Sequence, residues 1–323
     1  MLDVSRRMML AGAAALAAAP ASGQTAPAAR VKGPLVWMNM DQKELDDAYD
    51  QAVYAPNRDI VINRCKRNSA LARERLGAPK RFTYGPTKFD GLDVFTAKTP
   101  NAPIMMYIHG GSWRVGTASD YHYAAEAFLN AGANFVVPDF ANVGDVGGSL
   151  LPMADQIRRS VVWVYKNAKE FGGDPERIYV SGQSSGGHWI GVLLTTDWQK
   201  DYGVPMNIIK GGASGSGMYD LKPVRLSARS KFVHFTDEME EKLSAQRHLD
   251  KLVAPVALVY GSLETPEFQR QSRDFYAAVK AAGKPVTMAE MEGYNHFEVM
   301  EAIGNPVSLF GRAAIEIMKL RPA

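Results

Sequence analysis

From about residue 77 to the C-terminus, short apolar runs alternate with longer helical stretches, and few architectures tolerate that alternation. Leu92 to Ala97, Ile104 to Ile108, Phe135 to Pro138, Ile178 to Ser181, Ile208 to Gly212, Val256 to Tyr260 and Val286 to Met291 read as strands. Several are apolar at every position, as strands covered on both faces must be. Helical patterns lie between them at about 119–131, 154–171, 186–198, 266–282 and 306–320. This order predicts an α/β fold with a mainly parallel central sheet and helices on both faces. For the last helix, Asn305 suits the cap and Pro306 the first helical position. Earlier, Asp41 to Leu76 is polar and helix-rich, with a break at Ala55-Pro56-Asn57. The predicted organisation is therefore a linker and helical arm over 24–76 and a main domain over 77–323. The charged stretch from Leu226 to Lys251 breaks the rhythm and predicts a small helical cap at about 222–251.

The first residues differ from everything that follows. Ser5, Arg6 and Arg7 lead into an uncharged, alanine-rich run from Met8 to Ala19, with small residues to Gly23. The run falls short of the roughly 20 apolar residues that span a bilayer as a helix. It reads as an export signal over 1–23, of twin-arginine type, which implies a periplasmic or secreted protein with no membrane insertion once the signal is removed. A hydrophobic fraction of 46% with 22% charged residues excludes a disordered or fibrous chain. Nucleic acid is not an expected partner, because 37 basic and 34 acidic residues leave a net charge of only +3. With Cys65 alone, neither an internal disulfide nor a thiolate metal cluster can form. A homodimer is compatible with the sequence but not specified by it.

Gly182-Gln183-Ser184-Ser185-Gly186 follows one predicted strand directly and precedes a predicted helix. That placement is what a nucleophile elbow needs: the glycines leave room for a sharp turn, and the helix N-terminus faces developing negative charge. A second glycine turn, His109-Gly110-Gly111-Ser112-Trp113, follows the strand ending at Ile108. Without Cβ atoms in the way, such a loop brings amides close to an oxyanion, and Gly111, Ser112 and Ser185 are the expected donors. A serine hydroxyl needs a base, and the base needs an orienting carboxylate. Of six histidines, His296 alone follows a late strand in a loop, in Gly293-Tyr294-Asn295-His296-Phe297. Chain order of serine, acid, histidine then points to the segment after Val256–Tyr260, where Glu264 is preferred and Glu267 competes. Trp113 and Tyr219, with Trp189, Phe140 and Tyr294 nearby, are expected to give the pocket an aromatic lining. Neither a metal nor an organic cofactor is expected, since the chain has no H-E-x-x-H run and no G-x-x-x-x-G-K-[ST] run.

These motifs, in this order, resemble the α/β-hydrolase superfamily, and within it the hormone-sensitive-lipase-like esterases and the kynurenine formamidases (arylformamidases). Residues 109–113 look like the family's H-G-G-x-W loop, and Gly182 to His188 resembles its G-H-S-A-G-G-H elbow, with Gln183 in place of a common histidine. Residues 214–223 and 261–272 are similar to family segments beyond the elbow, the second being the formamidase acid loop with glutamate at 264 in place of aspartate. The resemblance covers about residues 41–318. It implies an α/β-hydrolase fold, a Ser184–His296–Glu264 triad and a small-molecule ester or amide substrate. Export fits poorly with tryptophan breakdown, a cytoplasmic task in this family. A serine esterase acting on small carboxylic esters is therefore the first expectation and an arylformamidase the second. A non-catalytic ligand-binding protein that reuses the fold is the alternative from another class.

Overall fold

In the computed structural model, which describes residues 30–322, a small hairpin and a helical arm come before the main sheet. The hairpin is β1 (Leu35–Trp37) and β2 (Met40–Asp41); the arm is α1 (Gln42–Ala48) and α2 (Arg58–Leu76). The export signal expected over 1–23 lies outside the described residues. A capping box starts α1: the Asp41 carboxylate accepts the Glu44 amide at 3.0 Å, and Glu44 accepts the Asp41 amide at 2.9 Å.

Eight strands then form one sheet: β3 (Lys80–Thr83), β4 (Gly91–Phe95), β5 (Ala102–Ile108), β6 (Asn134–Pro138), β7 (Gly173–Gln183), β8 (Ile209–Gly215), β9 (Val256–Gly261) and β10 (Val286–Met291). They pair in the order β10-β9-β8-β7-β5-β6-β4-β3. Pairing is parallel from β10 through β6 and antiparallel for β4 and β3 at the edge. The helices between strands are α3 (Ala125–Asn130), α4 (Leu151–Asn167), α5 (Ser185–Leu194), α6 (Trp198–Tyr202), α7 (Leu221–Leu226), α8 (Asp237–Leu243) and α9 (Pro266–Ala281), and α10 (His296–Ala302) and α11 (Leu309–Glu316) follow the last strand.

The unbroken apolar run in β5 has a direct cause. Ile104, Met106 and Ile108 enter one hydrophobic cluster, while Met105 and Tyr107 enter another on the opposite face. Helices α4, α5 and α9 cover the first face through Ile157, Ile190 and Phe275. Helices α2, α3 and α11 cover the second through Val61, Phe128 and Phe310. Between β8 and β9 the chain departs from the sheet into short helices, including α7, α8 and a 3-10 turn at Ala228–Lys231. Glu240 braces that excursion by accepting from Arg225 at 3.2 Å and Arg247 at 2.7 Å. Among the described residues, no helix is long and apolar enough to cross a membrane.

The structure corrects several expectations. β3 was not expected, because in Lys80-Arg81-Phe82-Thr83 only Phe82 is drawn inward and the other three residues are exposed. The last helix starts at Leu309, not Pro306. Asn305 accepts the Val307 amide at 3.1 Å, closing a turn two residues on, and Ser308 is the true cap, accepting the Gly311 amide at 2.9 Å. The expected helix at 186–198 is divided into α5 and α6, with Asp197 capping the second by accepting the Lys200 amide at 3.1 Å.

The second face of the sheet depends on Phe128, fully buried and stacked on Phe135 with ring centroids 5.1 Å apart. Replacing Phe128 with alanine should cost about 3–5 kcal/mol in urea unfolding. A loss below ~1 kcal/mol would contradict this packing.

Candidate active site

The carboxyl ends of β5, β7, β9 and β10 deliver four loops to one rim of the sheet, where open α/β sheets place their ligands. At the end of β7, Ser184 has φ +61° and ψ −124°, a conformation rarely held by a residue with a Cβ. Its amide donates to the Gly215 carbonyl at 2.9 Å, and its carbonyl accepts the His188 amide at 2.9 Å. The two flanking glycines are sterically required. A Cβ on Gly182 would lie 2.6 Å from the Ile108 carbonyl oxygen, and one on Gly186 only 2.1 Å from it. The backbone thus folds tightly over the end of β5 and projects the Ser184 hydroxyl into the rim.

That hydroxyl is 2.8 Å from His296 Nε2, and His296 Nδ1 is 2.7 Å from Glu264 Oε2. With the second oxygen of Glu264 filled by the Gly261 amide at 2.8 Å and by the Ser216 hydroxyl, the carboxylate is held as an acceptor. The network assigns the tautomer: Nδ1–H donates to Glu264 and Nε2 accepts from Ser184. All three side chains are buried. Gln183 also contacts the base, its amide donating to the His296 carbonyl at 2.9 Å.

His296 was expected in a loop but is the first residue of α10. Asn295 caps that helix by accepting the Phe297 and Glu298 amides at 3.0 and 3.2 Å, and Glu298 returns the bond to the Asn295 amide at 2.9 Å. The N-x-x-E pattern at 295–298 was the available signal. Asn57 of the arm locks this box, donating to Glu298 at 2.8 Å and accepting from Asn295 at 2.7 Å. Glu267, the competing acid, is committed elsewhere. It accepts from Tyr49 at 3.0 Å and from Arg270 at 2.6 and 2.8 Å. Burial, with the Glu267 charge beside it, pushes the Tyr49 phenol well above its ordinary range.

The loop after β5 is a tight turn in which the Gly111 carbonyl accepts the amides of Arg114 and Val115 at 2.9 and 3.2 Å. Gly111 has φ +110°, and a Cβ there would lie 2.0 Å from the Val115 oxygen. Ser112 and Trp113 also take positive φ, at 56° and 62°. Among the described residues, no acceptor takes the amides of Gly111 or Ser112. Ser185 opens α5, so its amide has no intrahelical partner. The loop is tied to the elbow by the Trp113 amide, which donates to Ser185 Oγ at 3.2 Å. His109 is unsuited to be a base: it is stacked between Phe140 and Tyr121, with centroids at 4.2 and 5.3 Å, and burial lowers its pKa.

Ser184, His296, Gly111 and Ser112 open onto a cavity of about 510 Å³. Much of the lining comes from the arm, through Tyr49, Gln51, Arg58, Ile62 and Lys66, and Arg229 comes from the 3-10 turn before α8. Trp113 and Tyr219, expected to line it, do not. Trp113 is packed behind its loop with its indole N–H donating to His188 at 3.3 Å. Tyr219 is stacked on Phe275 at 4.1 Å with its hydroxyl against Ser214, inside the core. Among the described residues, no group of three or more His, Cys, Asp or Glu side chains could hold a metal ion. The sequence does not single out Ser216, Arg229, the contact of Gln183 with His296 or the individual arm residues of the wall, because these roles depend on contacts between distant segments.

Residues 92–211 match the BD-FAE family model. The kynurenine formamidase of Danio rerio is 27% identical over 286 residues, spanning 83% of this chain and 93% of that protein. A putative thioesterase structure from Silicibacter sp. superposes with a TM-score of 0.73 at 22% identity, covering 84% of this chain and 98% of that one. Esterase B from Lactobacillus rhamnosis superposes with a TM-score of 0.63 at 15% identity, covering 84% and 96%. At these identities the two structures speak for the fold.

His188 shows how the site responds to acid. Burial holds its imidazole down to a pKa of about 3, and its Nε2–H donates to the Leu243 carbonyl at 3.0 Å. The unfolded chain takes up this proton below about pH 6.5 while the folded state refuses it until about pH 3. The stability this histidine contributes is complete above pH ~6.5 and is lost as pH falls, at about 1.4 kcal/mol per pH unit. Unfolding free energies measured between pH 6 and 5 should therefore fall less steeply in H188Q, by ~1 kcal/mol per unit. Identical slopes in the two proteins would contradict the neutral, buried imidazole.

Proposed function

We propose that this chain, an α/β-hydrolase and a hydrolase of ester or amide substrates, cleaves small carboxylic esters through an acyl-enzyme intermediate on Ser184. One observation carries the reading: His296 stands between Ser184 and Glu264 at 2.8 and 2.7 Å, in the tautomer that can take the hydroxyl proton. As Ser184 Oγ attacks the ester carbonyl, its proton moves to His296 Nε2, and the resulting imidazolium is stabilised by Glu264. The carbonyl oxygen becomes an oxyanion and accepts from the amides of Gly111, Ser112 and Ser185, each worth about 3–4 kcal/mol of transition-state stabilisation. Collapse breaks the ester bond, and the departing alkoxide takes the proton from Nε2. Water then repeats the sequence at the acyl carbon, with His296 as base, and releases the acid and Ser184.

An aryl formamidase is the second reading, supported by the similarity to the Danio rerio protein along 83% of this chain. The same relay serves it: a formyl group is the smallest acyl group, and His296 Nε2–H would protonate the departing arylamine. The sequence of residues 1–23 supports work in the periplasm or outside the cell, after twin-arginine export.

Purified protein should hydrolyse p-nitrophenyl acetate, and S184A should lower turnover by about 10⁴-fold or more while its unfolding transition is retained. Equal turnover by the two proteins would remove Ser184 from the chemistry. Running p-nitrophenyl acetate beside an N-formyl arylamine ranks the two readings, and a higher kcat/KM for the formamide would put the formamidase first.

A further inference from the structure

Arg229 stands in the wall of the cavity that holds Ser184, yet it is only 6% exposed. Nη2 donates to the Tyr49 carbonyl at 3.1 Å. Nε and Nη1 meet no acceptor, and among the described residues no carboxylate pairs with this guanidinium. The rings of Trp113 and Phe268 flank it, with centroids 5.5 and 5.8 Å away. Ring faces attract the charge but cannot fill in-plane N–H donors, and a guanidinium has five of these. Both edges of the fork therefore keep unfilled donors. Burying a cation without its anion is costly, and proteins rarely do so without a use for it. Burial lowers the Arg229 pKa to about 10, which still leaves it charged at neutral pH.

Two further features tie the fork to the site and to an anion. Phe268, one flanking ring, also packs edge-on against His296 with centroids 4.9 Å apart, and Trp113, the other, is bonded through its amide to Ser185. The guanidinium thus lies between two residues tied to the machinery: the Phe268 ring packs on the base, and the Trp113 backbone amide holds the residue after the nucleophile. Cationic side chains also outnumber acidic ones around the cavity: Arg58, Lys66 and Arg114 join Arg229, against Asp50 and Asp120.

We infer that Arg229 is the docking point for a carboxylate carried by the substrate, so that the preferred substrates are esters or amides with a free acid group. This rests on the hydrolase reading above and adds the substrate class. An acid group is bound by charge-assisted hydrogen bonds to the guanidinium, which fixes the distance from the anchored end to the scissile carbonyl.

Two ester pairs test the inference on the full chain, one with the acid in the acyl part and one with it in the leaving group. The first is p-nitrophenyl hemiglutarate beside p-nitrophenyl valerate; the second is 3-carboxyphenyl acetate beside 3-carbamoylphenyl acetate, each corrected for its rate in buffer. In at least one pair the acid should have a kcat/KM about tenfold or more higher, mainly through KM. R229Q should reduce that advantage to about threefold or less, while R229K retains part of it. Neutral esters cleaved as well as the acids in both pairs, or an advantage that survives R229Q, would overturn the docking role. Should R229Q not fold, the wild-type protein still decides the matter. Benzoate should inhibit p-nitrophenyl acetate turnover about tenfold more tightly than benzamide, and less so as salt rises; equal inhibition overturns the role. No turnover of any of the four esters would sink the hydrolase reading itself, whereas cleavage of neutral esters without an acid preference sinks only this inference.

Discussion

A 2.7 Å hydrogen bond between Glu264 and His296 is the contact on which the rest of the site depends, because it joins loops from two different strands to a third. It fixes the tautomer, and the tautomer determines whether Nε2 can accept from Ser184. Each participant is held by its own local structure: Ser184 by a strained turn, Glu264 by the Gly261 amide and Ser216, His296 by a helix cap and by Gln183. Glutamate in place of aspartate lengthens the side chain by one methylene. Both of its oxygens are used, one bound to its own loop at Gly261 and the other to the imidazole.

What the sequence revealed, and what it concealed, follows from the range of each interaction. The glycines of 182–186 are legible because backbone presses on backbone there, and only glycine fits. The β5 run is legible because both of its faces are buried. Chain order singles out Ser184, Glu264 and His296, and the structure brings them within hydrogen-bond distance. Trp113 and Tyr219 depart from expectation because bulk and aromaticity do not say which face of a loop a ring will take. Arg229 is unreadable for a stronger reason. It lies in a charge-rich stretch where a solvated side chain is the ordinary outcome, and its burial needs Tyr49, 180 positions away.

The arm is integral to the site. Asn57 locks the cap of the helix that starts with His296, and Gln51 bonds Thr265 beside Glu264. Tyr49 joins the arm to Glu267 of α9 through its hydroxyl and to Arg229 through its carbonyl. The sheet and its loops hold the reacting groups, while arm residues and Arg229 line the cavity beside them. The cavity beside Ser184 is therefore walled in part by residues far from the elbow in sequence.

The central claim is that Ser184 is an activated nucleophile, and covalent trapping tests it most directly. After treatment with a fluorophosphonate, peptide mass mapping should find one adduct, on Ser184, and H296Q should form it far more slowly at the same pH. An unmodified Ser184 after prolonged treatment, or labelling that proceeds equally fast without the imidazole, would contradict the account.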